Sequence, residues 1–160
     1  MYTTETLQDL HTRGHNTLQK LLEHCDKFNS EELNREFEGF GYPNILQQFH
    51  HTIGAEEYWI GVVEGLMKVD DNASDFTTIE SLKNYREQVF TTTENYLKNA
   101  STEELNTERK MITWGNNERN LIPARVFLRT FTHIYQHQGQ IVTLCRLLGR
   151  PISGTDFPIL

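Results

Sequence analysis

His51, His133 and His137 are the side chains of this 160-residue chain whose types and spacing could do chemistry together. The last two lie in Thr132-His133-Ile134-Tyr135-Gln136-His137. Four residues along an α-helix turn by only about 40° net, so both imidazoles project from one face. A third imidazole from a separate helix completes a set that can hold one divalent ion and leave coordination positions for water or substrate, the arrangement metal catalysis needs.

Four helical segments must position these residues. In the first, Leu7, Leu10, Gly14, Leu18, Leu21, Leu22 and Cys25 recur at three- and four-residue steps, which predicts an amphipathic helix from near the start to about Asp26. Gly39, Gly41 and Pro43 mark the next join. Pro43 suits the first turn of a second helix running to about Met67, with Ile45, Phe49, Ile53, Ile60, Val63 and Met67 on its apolar side. Its other side carries Gly54, Gly61 and Gly65. Each costs about 1 kcal/mol of helix propensity relative to Ala but lets another helix or a ligand come close.

The polar stretch Asp70-Asp71-Asn72-Ala73-Ser74-Asp75 ends this unit, and Thr77 with Glu80 reads as a capping box for the third helix. Ile79, Leu82, Arg86, Val89, Phe90, Thr93, Tyr96 and Leu97 carry that helix to about Asn99. Between residues 101 and 121 the pattern breaks. Ser101 and Glu104 can cap a short turn, Lys110 to Trp114 reads as extended, and Gly115-Asn116-Asn117 reads as a turn. Pro123 opens the fourth helix, which continues to Leu148 and stops at Gly149, with Pro151 blocking extension. The expected fold is all-α: a single domain over residues 1–160, a four-helix bundle with a long crossover connection between helices 3 and 4. Facing helices of such bundles commonly build metal sites in their interior.

On a helical wheel the fourth helix places Ile122, Val126, Thr130, His133, His137, Ile141 and Leu144 along one side, opposite Arg125, Arg129, Thr132, Gln136, Gln140 and Thr143. The histidine pair thus faces inward, where imidazole nitrogens need partners and a shared cation satisfies one nitrogen of each. Two core histidines bonded separately to other groups are the simpler reading. The third imidazole is open on spacing alone. His51 shares a line with Gln47, Gly54, Tyr58 and Val62, His50 lines up with Glu57 and Gly61, and the one not used is expected on the surface.

His11 and His15 form a competing four-step pair: His11 lies in the apolar stripe as an ordinary buried or boundary residue, and His15 sits at its flank. Glu56, Glu57 and Tyr58 are candidate general bases, none of which sequence aims at the site. Trp114 and Arg119 can shape a pocket mouth, against the plainer readings of a packing Trp and a solvated Arg.

Composition narrows the function classes. Fifteen basic against 22 acidic residues give a formal net charge of −7, which disfavours a phosphate-tracking nucleic-acid surface. No apolar run approaches the roughly 20 residues of a membrane-spanning helix. The start, Met1-Tyr2-Thr3-Thr4-Glu5-Thr6, lacks the basic flank and apolar stretch of a secretory signal, so a cytoplasmic protein is expected. Cys25 and Cys145, far apart and beside apolar positions, read as buried thiols rather than a disulfide or metal site. The chain has no Glu-x-x-His, no His-Glu-x-x-His, no Gly-x-x-x-x-Gly-Lys and no Gly-x-Ser-x-Gly. Carboxylate-bridged di-iron bundles, zincin proteases, P-loop enzymes and nucleophile-elbow hydrolases are therefore unsupported.

His133-Ile134-Tyr135-Gln136-His137-Gln138-Gly139-Gln140, followed by Leu144-Cys145-Arg146-Leu147-Leu148-Gly149, resembles the His-x-x-x-His-x-Gly-Gln helix ending in Leu-Gly of the DinB superfamily, the DinB/YfiT-like metal-binding four-helix bundles. His51-Thr52-Ile53-Gly54-Ala55-Glu56 resembles the family segment in which a histidine precedes a small and an acidic residue, and Asp156-Phe157 matches an Asp followed by an apolar residue. The resemblance implies a triad that carries onto His51, His133 and His137, which favours His51 over His50. It also implies one divalent transition metal ion, zinc or nickel, a choice that imidazole ligands favour over magnesium or calcium. Frequent homodimers and, in characterised branches, thiol S-transfer or isomerisation with a low-molecular-weight thiol as cosubstrate are implied as well. Gln138 departs from the basic residue common before Gly-Gln, which leaves the triad intact but puts a shared anion contact there in question.

The leading expectation is a metal-dependent enzyme of thiol S-transferase or hydrolase type acting on a small molecule. The rival is a noncatalytic, metal-stabilised dimeric stress or interaction protein, and a metal-free structural bundle is third.

Overall fold

A computed structural model describes residues 1–66 and 72–159. Helix α1 (Thr4–Cys25) begins at Thr3, whose side chain accepts the Thr6 N–H, and buries Leu7, His11, Gly14, His15, Leu18, Leu21, Leu22 and Cys25. The stripe is the expected one with His15 added: that residue is 1 % exposed, not a flank position. A short α2 (Ser30–Asn34) follows, closed by a reciprocal capping box between Asn29 and Glu32.

Helix α3 (Ile45–Glu64) is capped by Asn44, whose side chain accepts the Gln47 N–H. Pro43 therefore lies outside the helix instead of in its first turn, because a side-chain acceptor at Asn44 can satisfy an orphan N–H that proline cannot. The helix stops where Gly65 turns left-handed at φ 71°, so Gly65 serves as a terminator and not as part of a small-residue face. Met67, Asp70 and Asp71 lie outside the described residues. Helix α4 (Ile79–Asn99) is capped one residue later than Thr77, by Thr78, which exchanges hydrogen bonds with Ser81 in place of Glu80.

The long crossover joins α4 to the last helix through residues 100–122. It holds a short α5 (Thr102–Asn106), where Ser101 accepts the Glu104 N–H. An antiparallel hairpin follows, β1 (Arg109–Thr113) against β2 (Asn117–Leu121), with Arg109 opposite Leu121 and Thr113 opposite Asn117. The turn occupies 114–116, where Gly115 takes φ 68°. The extended stretch and turn lie one residue earlier than the sequence places them, with Trp114 in the turn and Asn117 opening β2; the second strand is an addition. Helix α6 (Pro123–Leu147) opens on proline and ends before Gly149 at φ 74°. The fold is thus the helical bundle expected, with one small hairpin.

The apolar interior divides into two clusters along the helix axes. One gathers Leu18, Leu21, Leu22, Ile53, Leu82, Ile141 and Leu144. The other gathers Leu7, Tyr58, Val62, Leu97, Phe127 and Phe131. Between them each helix contributes polar side chains: His11 and His15 on α1, Glu56 on α3, Thr93 on α4, and His137 and Gln138 on α6, all buried. Buried polar groups favour hydrogen-bond partners, and these residues are where the candidate chemistry lies.

Candidate metal centre

Helices α3 and α6 pack side by side and bring His51, His133 and His137 together. One donor atom from each lies within 4.8 Å of the others. His133 Nε2 stands 3.1 Å from His51 Nε2, and the His51 and His137 ring centroids are 4.6 Å apart. His137 is buried, while His51 and His133 are half-buried. The face assignment on α6 holds, since Arg125, Arg129, Thr132, Gln136 and Thr143 are exposed.

The orientation of His137 is fixed by residues that the sequence reading missed. Its Nδ1 donates to Gln48 Oε1 at 2.8 Å, while Gln48 Nε2 donates to the Tyr42 carbonyl at 2.7 Å and to Gln140 Oε1 at 2.8 Å. With the amide held at both ends, the proton of His137 sits on Nδ1 and the lone pair on Nε2 is left for the centre. Supporting hydrogen bonds of this kind fix the tautomer and ring direction of metal-binding histidines. Gln48 stands three residues before His51 and Gln140 three after His137, and that helical spacing was the available signal. Tyr42 also stacks on His51 at a centroid distance of 3.9 Å.

Charge state suits a cation. Burial, aided by His137, His133 and His50, lowers His51 to about 4. Burial, aided by His137 and Arg129, lowers His133 to about 4, and burial also lowers His137. The three rings are therefore neutral near pH 7, the form that binds metal. Bonds of about 2.0–2.1 Å to a tetrahedral ion place neighbouring nitrogens roughly 3.3 Å apart, close to the 3.1 Å already separating His51 and His133. Without an ion, one of these rings donates its Nε2–H to the other; with an ion, both nitrogens turn their lone pairs to it.

His50 is not the surface residue expected of the unused histidine. It is buried, with its ring between Phe76 at 4.9 Å and Tyr85 at 5.8 Å.

His11, His15 and Glu56 form a second group of donor atoms within 4.8 Å that could hold an ion. Its geometry fits a proton better. His11 Nε2 donates to Glu56 Oε1 at 2.8 Å and His15 Nε2 to Glu56 Oε2 at 2.7 Å, joining α1 to α3. Both Nδ1 atoms are buried without a hydrogen-bond partner among the described residues, so a proton there would be an unpaired buried donor. Burial lowers His15, opposed by Glu56. Burial alone would raise the Glu56 carboxyl, but His15 and His11 hold it well below the usual carboxylate range. Arg86, 8 % exposed, pairs with Glu87 at 2.7 Å and acts on Glu56 only electrostatically.

Of the candidate bases, Glu56 is committed to this clamp, and Glu57 accepts from the Tyr85 hydroxyl. Tyr58 Oη accepts the Trp114 N–H at 2.8 Å, and burial raises its pKa, so it stays a hydroxyl. Gln138 is 2 % exposed and donates to Gly14 O and Thr17 Oγ1 on α1, so position 138 is turned toward α1. Cys25 and Cys145 are free and fully buried, with their sulfurs 3.7 Å apart.

A cavity of about 460 Å³ opens beside His51 and His133, walled by Tyr42, Tyr58, Trp59, Trp114 and Arg129. Trp114, from the crossover, lies flat on Tyr58 at 3.6 Å and lines this cavity; Arg119, its companion in the sequence reading, is exposed and does not. Among the described residues no helix is long and apolar enough to cross a membrane.

Two solved structures share this architecture. A DinB-like protein from Bacillus cereus ATCC 10987 superposes with a TM-score of 0.77 at 18% identity, covering 96% of this chain and 99% of that one. A conserved protein from Enterococcus faecalis gives a TM-score of 0.67 at 15% identity, covering 93% and 99%. No curated protein matches the sequence. The DinB family model matches residues 1–160. With that full-length match, and with the bundle reproduced in both structures, this chain belongs to the DinB family.

Proposed function

We propose that His51, His133 and His137 hold one divalent transition metal ion, zinc or nickel, and that the protein is a metal-dependent enzyme acting on a small molecule in the adjoining cavity. The observation that supports this most is the neutral, inward-facing imidazole set with His137 Nε2 aimed by the Gln48 amide. Such an ion supplies Lewis acidity, lowering the pKa of a coordinated water or thiol toward neutrality, which serves hydrolysis or thiol S-transfer alike. The chain's own part is to present three uncharged ligands, which leave the ion's charge undiminished, and to fix one of them through Gln48. Tyr42 and Trp114 contribute aromatic walls to the cavity. A low-molecular-weight thiol is the proposed cosubstrate and a homodimer the proposed assembly.

The test is metal content after purification without added metal, followed by zinc or nickel reconstitution, for wild type, His51→Ala and His133→Ala. The expected result is one ion per wild-type chain and a large loss in both variants; stoichiometric metal in all three would sink the site. Thiol-conjugation and hydrolysis panels then separate enzyme from scaffold, since catalysis requires metal-dependent turnover that both variants lose. Light scattering reads the assembly, and a monomer mass would overturn the dimer.

A further inference from the structure

We propose that the cavity beside the three histidines binds a small carboxylate with a flat apolar body, its carboxylate held by Arg129. This rests on taking that cavity as the substrate pocket of the proposed centre. Arg129 lies one helical turn before His133 on α6 and lines the cavity, with its guanidinium 5.0 Å from the Trp59 ring. It has no carboxylate partner among the described residues, and none of the described residues lining the cavity is acidic. A guanidinium braced on an indole keeps its donor fork free and oriented for a planar anion.

Apart from this cation and the histidines, the lining is aromatic or small, save for Gln47. Tyr58 and Trp114 are parallel within 5°, and Trp114 leaves 59 % of its surface exposed, more than packing alone accounts for. The volume of about 460 Å³ suits a small molecule. Arg129 is the one permanently charged cation among the described lining residues, which matches a monoanionic carboxylate better than a phosphate dianion, for which clusters of cations are usual.

Phenylacetate and its neutral analogue phenylacetamide are the probes, titrated against tryptophan fluorescence and by calorimetry, on zinc-loaded and chelator-treated protein. Wild type is expected to bind the acid at least tenfold more tightly than the amide in both metal states. Arg129→Gln should bring the ratio near one while zinc content stays at the wild-type level, and Arg129→Lys, which keeps charge without the fork, should fall between. Equal affinity for acid and amide in wild type, or no binding of either, overturns the proposal. So does a preference that survives in Arg129→Gln, which would place the carboxylate on the metal or elsewhere. If wild type takes up no zinc yet keeps an Arg129-dependent preference, the metal centre fails and the carboxylate pocket stands.

Discussion

Replacing Glu56 by glutamine tests whether the buried histidine pair on α1 is a proton clamp or a metal site. Glu56 is 2 % exposed and receives an Nε2–H from His11 on one oxygen and from His15 on the other. Glutamine keeps one acceptor and turns an NH₂ toward the second ring. To pair with it, that ring must move its proton to Nδ1, which is buried without a partner among the described residues and costs about 1–3 kcal/mol. Arg86 keeps its own partner, Glu87 at 2.7 Å, so the substitution leaves that ion pair in place. The expected loss is therefore about 1–3 kcal/mol. Urea denaturation at pH 7 with a chelator present should show it as a lower midpoint at unchanged slope, while zinc content stays at the wild-type level. A loss under about 1 kcal/mol would refute the clamp, and zinc content falling as far as in His133→Ala would make the cluster a metal site.

Gln48→Leu removes the acceptor that fixes His137 and should weaken zinc binding roughly 10- to 100-fold with the fold intact. Chelator competition measures this, and a change under about threefold contradicts the role given to Gln48. The metal-free protein should lose stability between pH 7 and pH 5. Its folded-state histidines are lowered, His51 and His133 to about 4 and His15 in direction, so the unfolded chain binds more protons across that window and stability rises with pH. Urea midpoints at the two pH values check the sign, and an equal or higher midpoint at pH 5 refutes it. Cys25 and Cys145 should resist a thiol-labelling reagent until unfolded, because both are buried and the Cys145 sulfur together with burial pushes the Cys25 thiol up. Rapid labelling of the native protein would contradict that packing.

Helical periodicity carried most of the fold. The stripe of α1, the inward pair on α6 and the stops at Pro123 and Gly149 follow from spacing and from backbone chemistry that acts locally. Cap positions slipped by a residue at Pro43 and Thr77, because several neighbouring polar side chains compete for one orphan N–H and tertiary packing chooses among them. Convergence of the histidines was legible on α6 but not on α3. There His50 and His51 both point off the apolar stripe, and only the packing of α3 against both α4 and α6 sends one to Tyr85 and Phe76 and the other to His133. The His11, His15 and Glu56 clamp was hidden for a different reason. A hydrophobic wheel scores polar residues as surface, whereas here three of them satisfy one another across two helices.

The most direct measurement is an anomalous difference map collected at the zinc edge from crystals of the zinc-loaded protein. The account predicts a single strong peak per chain, within bonding distance of His51, His133 and His137 Nε2, with none between His11, His15 and Glu56. A peak at the Glu56 cluster with none at the three histidines, or zinc held only by surface side chains, would contradict it.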